Sequence, residues 1–328
     1  MSLPFQMLTI MTQFDNEVTN ARTNSLIQSP RLMSPTTINI FDGTSIHEQR
    51  IPLDRVAICM CKRCIGRKKR GLRPLPIFSP NHKTYPKGMR VLVFDTETTG
   101  LPKRRNASVT DSDAWGYIVQ WSWFVYDVDE KRIVTVSDHI VKLPNTMTIP
   151  EESTKIHGIT TEKMRREGEH FKKVLTEFTA DYEMCNYLVA HNLEFDRKMV
   201  QVECCRHHLP VNYVWSRRKV VEYCTMKQSK SLCGMKGYYK KGPNAGKMYI
   251  RFPKLLEVHQ VLFDKENKTT LNNLHNSLVD IVVCFRCFHV LVFEKDPFEY
   301  SSVIHALETE LISIYGNSYV RILKKLVS

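Results

Sequence analysis

The sequence predicts an α/β fold, a mixed β-sheet covered by helices, and three features carry that prediction. A nearly continuous apolar strand runs over Met89–Asp95. Two β-branched and aromatic segments follow, Tyr117–Tyr126 and Arg132–Lys142, separated by a stretch short enough for a tight turn. Beyond about Thr161, short strands alternate with helical periodicity. Strands first, then strands alternating with helices, is the order of a sheet flanked by helices.

Residues 1–88 read as a basic, Pro-rich N-terminal appendage with short strands near Thr37–Ile40 and Arg55–Met60, followed by a basic loop. Residues 89–295 form the main domain and residues 296–328 a short helical C-terminal extension. Met89–Asp95 is apolar on both faces, as a strand covered on both sides must be. The turn Asp127-Val-Asp-Glu-Lys131 makes the next two strands antiparallel. A helix is then predicted over Thr161–Met184, a buried strand over Tyr187–Ala190, a helix over Glu194–His207 and a strand over Val220–Tyr223. The basic stretch Ser229–Lys247 reads as a loop. Leu255–Phe263 and Leu271–Phe293 are helical, with Leu274, Leu278, Ile281, Phe285 and Phe288 on one face. Asp296-Pro297 caps a further helix to about Ser313, and a short basic helix ends the sequence.

Composition excludes several classes. With 42% hydrophobic and 25% charged residues over 328 positions, wholesale disorder is ruled out. The most apolar run, Leu278–Phe293, is interrupted by Asp280, Arg286 and His289, so it reads as a buried helix and not a membrane span. The first residues lack the basic start and long apolar run of a signal peptide, so a soluble, intracellular chain with no membrane partner is expected. Its ten cysteines then read as reduced thiols. The formal net charge of +13 is concentrated: Cys61–Arg90 carries ten Lys/Arg and no Asp/Glu, and Arg217–Lys254 carries eleven Lys/Arg against Glu222 alone. Such segments suit an anionic polymer, although solvated basic loops would look the same.

The most informative residues are acidic. In Phe94-Asp-Thr-Glu-Thr-Thr-Gly-Leu101, residues i and i+2 of a strand end point the same way, so Asp95 and Glu97 present two carboxylates to one spot. Two like charges that close raise each other's pKa unless a cation shares the site, and hard oxygen ligands select Mg²⁺ or Mn²⁺. A second word, Val189-Ala-His-Asn-Leu-Glu-Phe-Asp196, ends a buried strand in His191-Asn192 and sets Asp196 in the next helix. A third, Leu274-His-Asn-Ser-Leu-Val-Asp280, enters the long apolar helix. A carboxylate beside that run is costly unless paired or metal-bound, or else it faces solvent.

Together these words resemble the three Exo motifs of the DEDDh, or DnaQ-like, 3′–5′ exonucleases of the ribonuclease H-like superfamily. The matching residues are Asp95 and Glu97, His191-Asn192 with Phe195-Asp196, and His275 with Asp280. The resemblance spans about Met89–Lys295 and includes Ile149-Pro150 and Ile156-His-Gly-Ile-Thr160. The third-motif helix is also similar in wording to exonucleases encoded by large DNA viruses. The resemblance implies a ribonuclease H-like sheet, two divalent cations held by Asp95, Glu97, Asp196 and Asp280, and His275 as general base. It implies hydrolysis at 3′ ends with release of nucleoside monophosphates, on single-stranded or frayed ends, with DNA and RNA both open. Thr98, Gly100 and Leu101 would form the floor under the terminal nucleotide, with His191 and Asn192 as further substrate contacts. Ser277 stands where the family usually has alanine, a change expected to be neutral. The alternative reading is a catalytically idle nuclease fold that binds nucleic acid through its basic segments.

Two further signals are weaker. Cys59, Cys61 and Cys64 with the distant His82 offer four zinc ligands, but structural zinc favours tighter pairs, so zinc is the minor reading. Trp121 and Trp123 share a strand face, which favours core packing over stacking on bases.

Overall fold

The computed structural model describes residues 36–41, 46–51, 88–263 and 275–315. The zinc candidates Cys59, Cys61, Cys64 and His82, the strand expected at Arg55–Met60, the first turn of the helix expected from Leu271 and the basic C-terminal helix lie outside these residues. The chain divides into two compact units at Arg55/Val56. In the first, β1 (Thr36–Phe41) pairs antiparallel with β2 (Ile46–Ile51), Thr36 opposite Ile51.

In the second unit, five strands form one mixed sheet in the order β5-β4-β3-β6-β7. β3 (Arg90–Thr98), β4 (Ile118–Asp127) and β5 (Arg132–Ile140) are antiparallel neighbours, while β6 (Tyr187–Ala190) and β7 (Val221–Cys224) add in parallel to the other edge of β3. This is the mixed sheet expected of the ribonuclease H-like fold.

Strand parity divides the core. Val91 and Val93 of β3 face a cluster built with α7 (Ser277–Phe293), whose Ile281, Phe285 and Phe288 are fully buried. Leu92 and Phe94 face the opposite layer, where α3 (Phe171–Glu183) and α4 (Leu193–Arg206) pack. All ten residues of β4 are buried, and Trp121 and Trp123 pack edge to face at 5.6 Å against Phe178. The tryptophans are core residues, as their shared face required. The same parity fixes the next residues along β3: Asp95 and Glu97 fall on the α7 side.

The helices depart from expectation at five places. The helix expected from Asp296-Pro297 is a single turn over Pro297–Glu299 followed by a separate helix over Ser301–Tyr315. α1 (Glu151–His157), which composition had not marked, follows Pro150 and stops at Gly158. The helix expected over Thr161–Met184 is two, α2 (Thr161–Glu167) and α3. At Gly168 the chain leaves the helix so that Glu169 can bond the end of β5, accepting from Lys142 N at 2.8 Å and donating to Ile140 O at 2.8 Å. The expected loop Ser229–Lys247 contains part of α5 (Thr225–Cys233) and a ribbon of β8 (Lys236–Tyr238) paired with β9 (Met248–Ile250). α5 escaped detection because its buried positions are Thr225 and Ser229, polar residues whose hydroxyls bond His191 Nδ1 and Thr225 O. α6 (Leu255–Phe263) is as expected, but α7 starts at Ser277: Asn276 caps it, and His275 stands outside with a φ of 92°.

The C-terminal segment shares the core of the main sheet. Phe298 and, from α8 (Ser301–Tyr315), Val303, Leu307 and Leu311 are buried with Tyr126 and Phe285. Arg286 of α7 clasps Asp296 through Nε and Nη2, and Asp296 also caps the turn at Pro297 by accepting from Phe298 N. No helix among the described residues is long and apolar enough to cross a membrane.

A buried ion pair locks the end of α4 to the sheet. Glu203 Oε1 accepts from Ile118 N at 3.1 Å and from Arg206 Nη1 at 2.7 Å. Arg206 also donates to the carbonyls of Ser112, Trp115 and Gly116, which lead into β4. Removing one partner strands a buried charge, which costs about 3–5 kcal/mol. Arg206→Met is therefore expected to lower the urea unfolding free energy by that amount, and adding Glu203→Gln to recover part of it. An Arg206→Met protein within about 1 kcal/mol of the parent, the usual scale of an exposed pair, would contradict the role given to this pair.

Candidate active site

Asp95 and Glu97 leave the end of β3 on one face, and a register shift between Glu97 and Thr98 ends the regular pairing with β4 there. Bulges of this kind re-aim side chains at a strand end. Asp196 arrives from the first turns of α4, turned toward β3: its Oδ1 accepts from Thr96 N at 3.2 Å and from Thr96 Oγ1 at 2.8 Å. Thr96 thus uses the opposite parity from its neighbours to hold the third carboxylate. Asp280 lies in the first turn of α7, where the helix N-terminus favours an anion.

Asp280 has two separate tasks. Its Oδ2 accepts from His275 N at 3.1 Å and so holds His275 in the left-handed backbone region, an uncommon state for a residue other than glycine. Its Oδ1 is buried and finds no hydrogen-bond partner among the described residues. A buried, unsatisfied carboxylate oxygen is what a cation site presents before the ion is counted. A ring nitrogen of His275 and carboxylate oxygens of Glu97 and Asp280 all lie within 4.8 Å of one another.

The four carboxylates act on one another. Burial raises the pKa of Asp95 well above the ordinary carboxylate range, and the charges of Asp196, Asp280 and Glu97 raise it further. Glu97 is raised by burial and then by Asp280 and Asp196. Asp280 is raised by burial and Asp196, and His275 N works against the shift. For Asp196 burial again dominates, with the Thr96 bonds opposing it. All four would rather be neutral in this pocket, so the donor set of hard oxygens with excess negative charge fits divalent cations.

The floor next to the carboxylates is the turn Thr98–Leu101. Thr99 N donates to Tyr117 O at 2.9 Å, Thr99 Oγ1 accepts from Tyr117 N at 2.8 Å, and Ser153 Oγ of α1 donates to Thr99 O at 2.8 Å. Gly100 has a φ of 147° and nothing within 4 Å of where a Cβ would stand, so that face is open. The close contact of the turn falls instead at Gly116, whose Cβ would meet Gly100 O at 2.5 Å. Leu101 is 80% exposed beside it, an apolar side chain held out to solvent.

The second motif divides. Asn192 caps α4 in the left-handed conformation that asparagine tolerates, its side chain making no cap bond. His191, expected among the substrate contacts, is turned inward. Its Nε2 faces Pro253 O at 3.2 Å, which can only accept, so Nδ1 is left to accept from Thr225 Oγ1 at 3.0 Å. Burial lowers its pKa to about 4, in keeping with a neutral imidazole that braces β6 against the segment before α6.

Two residues take parts the sequence had not assigned. Ser277 makes a bond that alanine could not: its hydroxyl bonds Ser122 Oγ, which in turn donates to Asp138, and Gln120 Nε2 donates to Asp138 Oδ1 at 2.7 Å. This buried network ties the start of α7, and with it His275 and Asp280, to β4 and β5. His157, at the end of α1, accepts from Ile159 N at 3.1 Å. Its pKa is lowered first by burial, with the Thr98 backbone opposing and His275 adding to the depression.

A model of the family RNase_T, described as exonuclease, matches residues 92–288, more than half of the chain. No curated protein matches it. Among solved structures, the zinc-bound complex of E. coli exonuclease I with single-stranded DNA is 14% identical at a TM-score of 0.45, covering 69% of this chain and 43% of that one. A product-bound structure of exonuclease I is 13% identical at a TM-score of 0.44, covering 69% and 46%. The chain thus spans less than half the length of the structures it matches.

The raised carboxylates set a pH dependence of stability. Each folded-state pKa lies above its unfolded value, so protonated carboxyls are favoured in the fold and stability falls as pH rises from about 4 through the folded values. Without metal, the melting temperature is expected to be higher at pH 5.5 than at pH 8. Mg²⁺ should raise it by several degrees at pH 8 and much less at pH 5.5, because ions bind the charged form. Equal Mg²⁺ stabilisation at both values would contradict a carboxylate cation site.

Proposed function

The chain belongs to the RNase_T exonuclease family, and on that premise we propose that it is a metal-dependent 3′–5′ exonuclease releasing nucleoside monophosphates from nucleic-acid ends. The observation that carries this reading is the close set of four mutually repelling carboxylates, Asp196 buried and the other three half-buried, with His275 at its rim. Asp95, Glu97, Asp196 and Asp280 would hold two divalent cations. Bound there, the ions would supply the positive charge that lets water attack a phosphodiester and the 3′-oxygen leave.

The chain's own residues supply the rest. His275, exposed beside Glu97 and Asp280, would take the proton of the attacking water, since an imidazole nitrogen within reach of the site can act as general base. The bond from its backbone to Asp280 supports this role by fixing where the ring starts. The open face of Gly100 gives the terminal sugar room to approach, and the exposed Leu101 offers an apolar surface to the terminal base. Asn192, whose side chain makes no cap bond, is free to reach the same end.

Asp95→Ala and Asp280→Ala are each expected to abolish shortening of a 5′-labelled oligonucleotide in Mg²⁺ while the circular dichroism spectrum stays that of the parent. Full turnover by either variant would refute the site. His275→Ala should lower kcat by about 10²–10⁴-fold with KM within a few fold; a kcat of that variant equal to the parent's would remove the base. Comparing Mg²⁺ with EDTA on the parent distinguishes this reading from an idle binding fold. A ladder shortening stepwise from the unlabelled 3′ end is the expected product pattern, and immediate release of the 5′ label would reverse the polarity.

A further inference from the structure

The ribbon β8–β9 projects with both faces in solvent. Lys236, Tyr238, Met248, Tyr249 and Ile250 are all exposed, Tyr238 to 61%. A two-stranded ribbon is marginal by itself, yet this one is built to keep its shape. Tyr239 and Tyr249 pack ring against ring at 4.6 Å, and the Tyr249 ring lies so close to Gly237 that a Cβ there would meet it at 2.9 Å. Tyr239 N donates to Lys247 O at 3.1 Å, Gly246 N to Tyr239 O at 2.8 Å, and Arg251 N to Met235 O at 2.8 Å across its base. Aromatic rings are therefore held outward at a cost in exposed apolar surface, which marks an interaction site.

Charge identifies the partner. Thr225–Lys254 contains eight Lys/Arg and no Asp/Glu. Lys227 and Arg251 are compensated by Glu194 and Glu257. Lys236, Lys240, Lys241 and Lys247 make no ion pair among the described residues, and Lys230 lies 4.6 Å over the ring of Phe252, itself 45% exposed. Interleaved cations and outward aromatic rings suit a chain of phosphates with free base faces, whereas a protein surface would have to bring many carboxylates of its own.

We propose that this ribbon is a platform for single-stranded nucleic acid, with bases stacked on Tyr238 and its neighbours and phosphates held by the lysines. The proposal rests on the nuclease reading for its purpose and names the substrate as a single strand. A duplex keeps its base faces stacked inside, so only its phosphates could use the ribbon. The location agrees: Pro253, three residues after β9, is bonded by His191, one residue before the cap of the helix that carries Asp196.

The test is binding in EDTA of a fluorescent 20-nucleotide oligo(dT), alone and annealed to oligo(dA), with hydrolysis of a dinucleotide in Mg²⁺ as a separate readout. Tyr238→Ala is expected to weaken single-strand binding by about tenfold, Tyr238→Phe to leave it unchanged, and neither to alter duplex binding. Lys240→Gln with Lys241→Gln should reduce the slope of log affinity against log salt by about 1.4. Dinucleotide hydrolysis should be unaffected by all of these, since two nucleotides need only the carboxylate pocket and its floor. Parent-like single-strand affinity and salt slope in the alanine and glutamine variants would overturn the proposal and leave the exposed rings to a protein partner. Failure of the parent to cleave would instead count against the nuclease reading, while the binding data still decide the ribbon.

Discussion

Electrostatic repulsion among Asp95, Glu97, Asp196 and Asp280 sets the terms for everything around them. Two unit charges 4.8 Å apart, the limit for the Glu97 and Asp280 oxygens, repel by roughly 3 kcal/mol at an effective dielectric constant near 20. Burial is the larger cause in raising the pKa of each of the four. No cationic side chain is recorded in contact with any of them among the described residues. A fold that holds them together regardless must draw its stability elsewhere, and it does so from the large apolar clusters on both faces of the sheet.

Each carboxylate is held by a different device. Strand parity fixes Asp95 and Glu97, two hydrogen bonds from Thr96 fix Asp196, and a capped helix start fixes Asp280. The helix start is in turn anchored by the Ser122–Ser277 contact and the Gln120–Asp138 bond behind it. Buried polar networks of this kind are specific because an unmade bond within them is costly. Each carboxylate thus has its own anchor, and what the hydrogen bonds leave open is the charge state that bound cations would settle.

Much of this could be read from the sequence because it depends on short-range rules. The i, i+2 spacing of Asp95 and Glu97 needs only a strand, and the apolar run Val91–Phe94 of β3 and the apolar strand β6 announce themselves. The inward turn of His191 could not be read, because its partners Thr225 and Pro253 lie 34 and 62 residues away. The same is true of Ser277, whose partner Ser122 is 155 residues distant. The break at Gly168 looked helical by periodicity, and only the pairing of Glu169 with β5 explains it. α5 and the ribbon were hidden by composition: polar residues are buried in one, and apolar residues exposed in the other.

Counting Mn²⁺ by electron paramagnetic resonance, as free ion lost on titrating it into the whole chain at pH 8, addresses the cluster most directly. Two ions bound per chain, with both sites lost or sharply weakened in Asp280→Asn, is the result this account requires. Absence of binding, or stoichiometry and affinity untouched by that substitution, would contradict it.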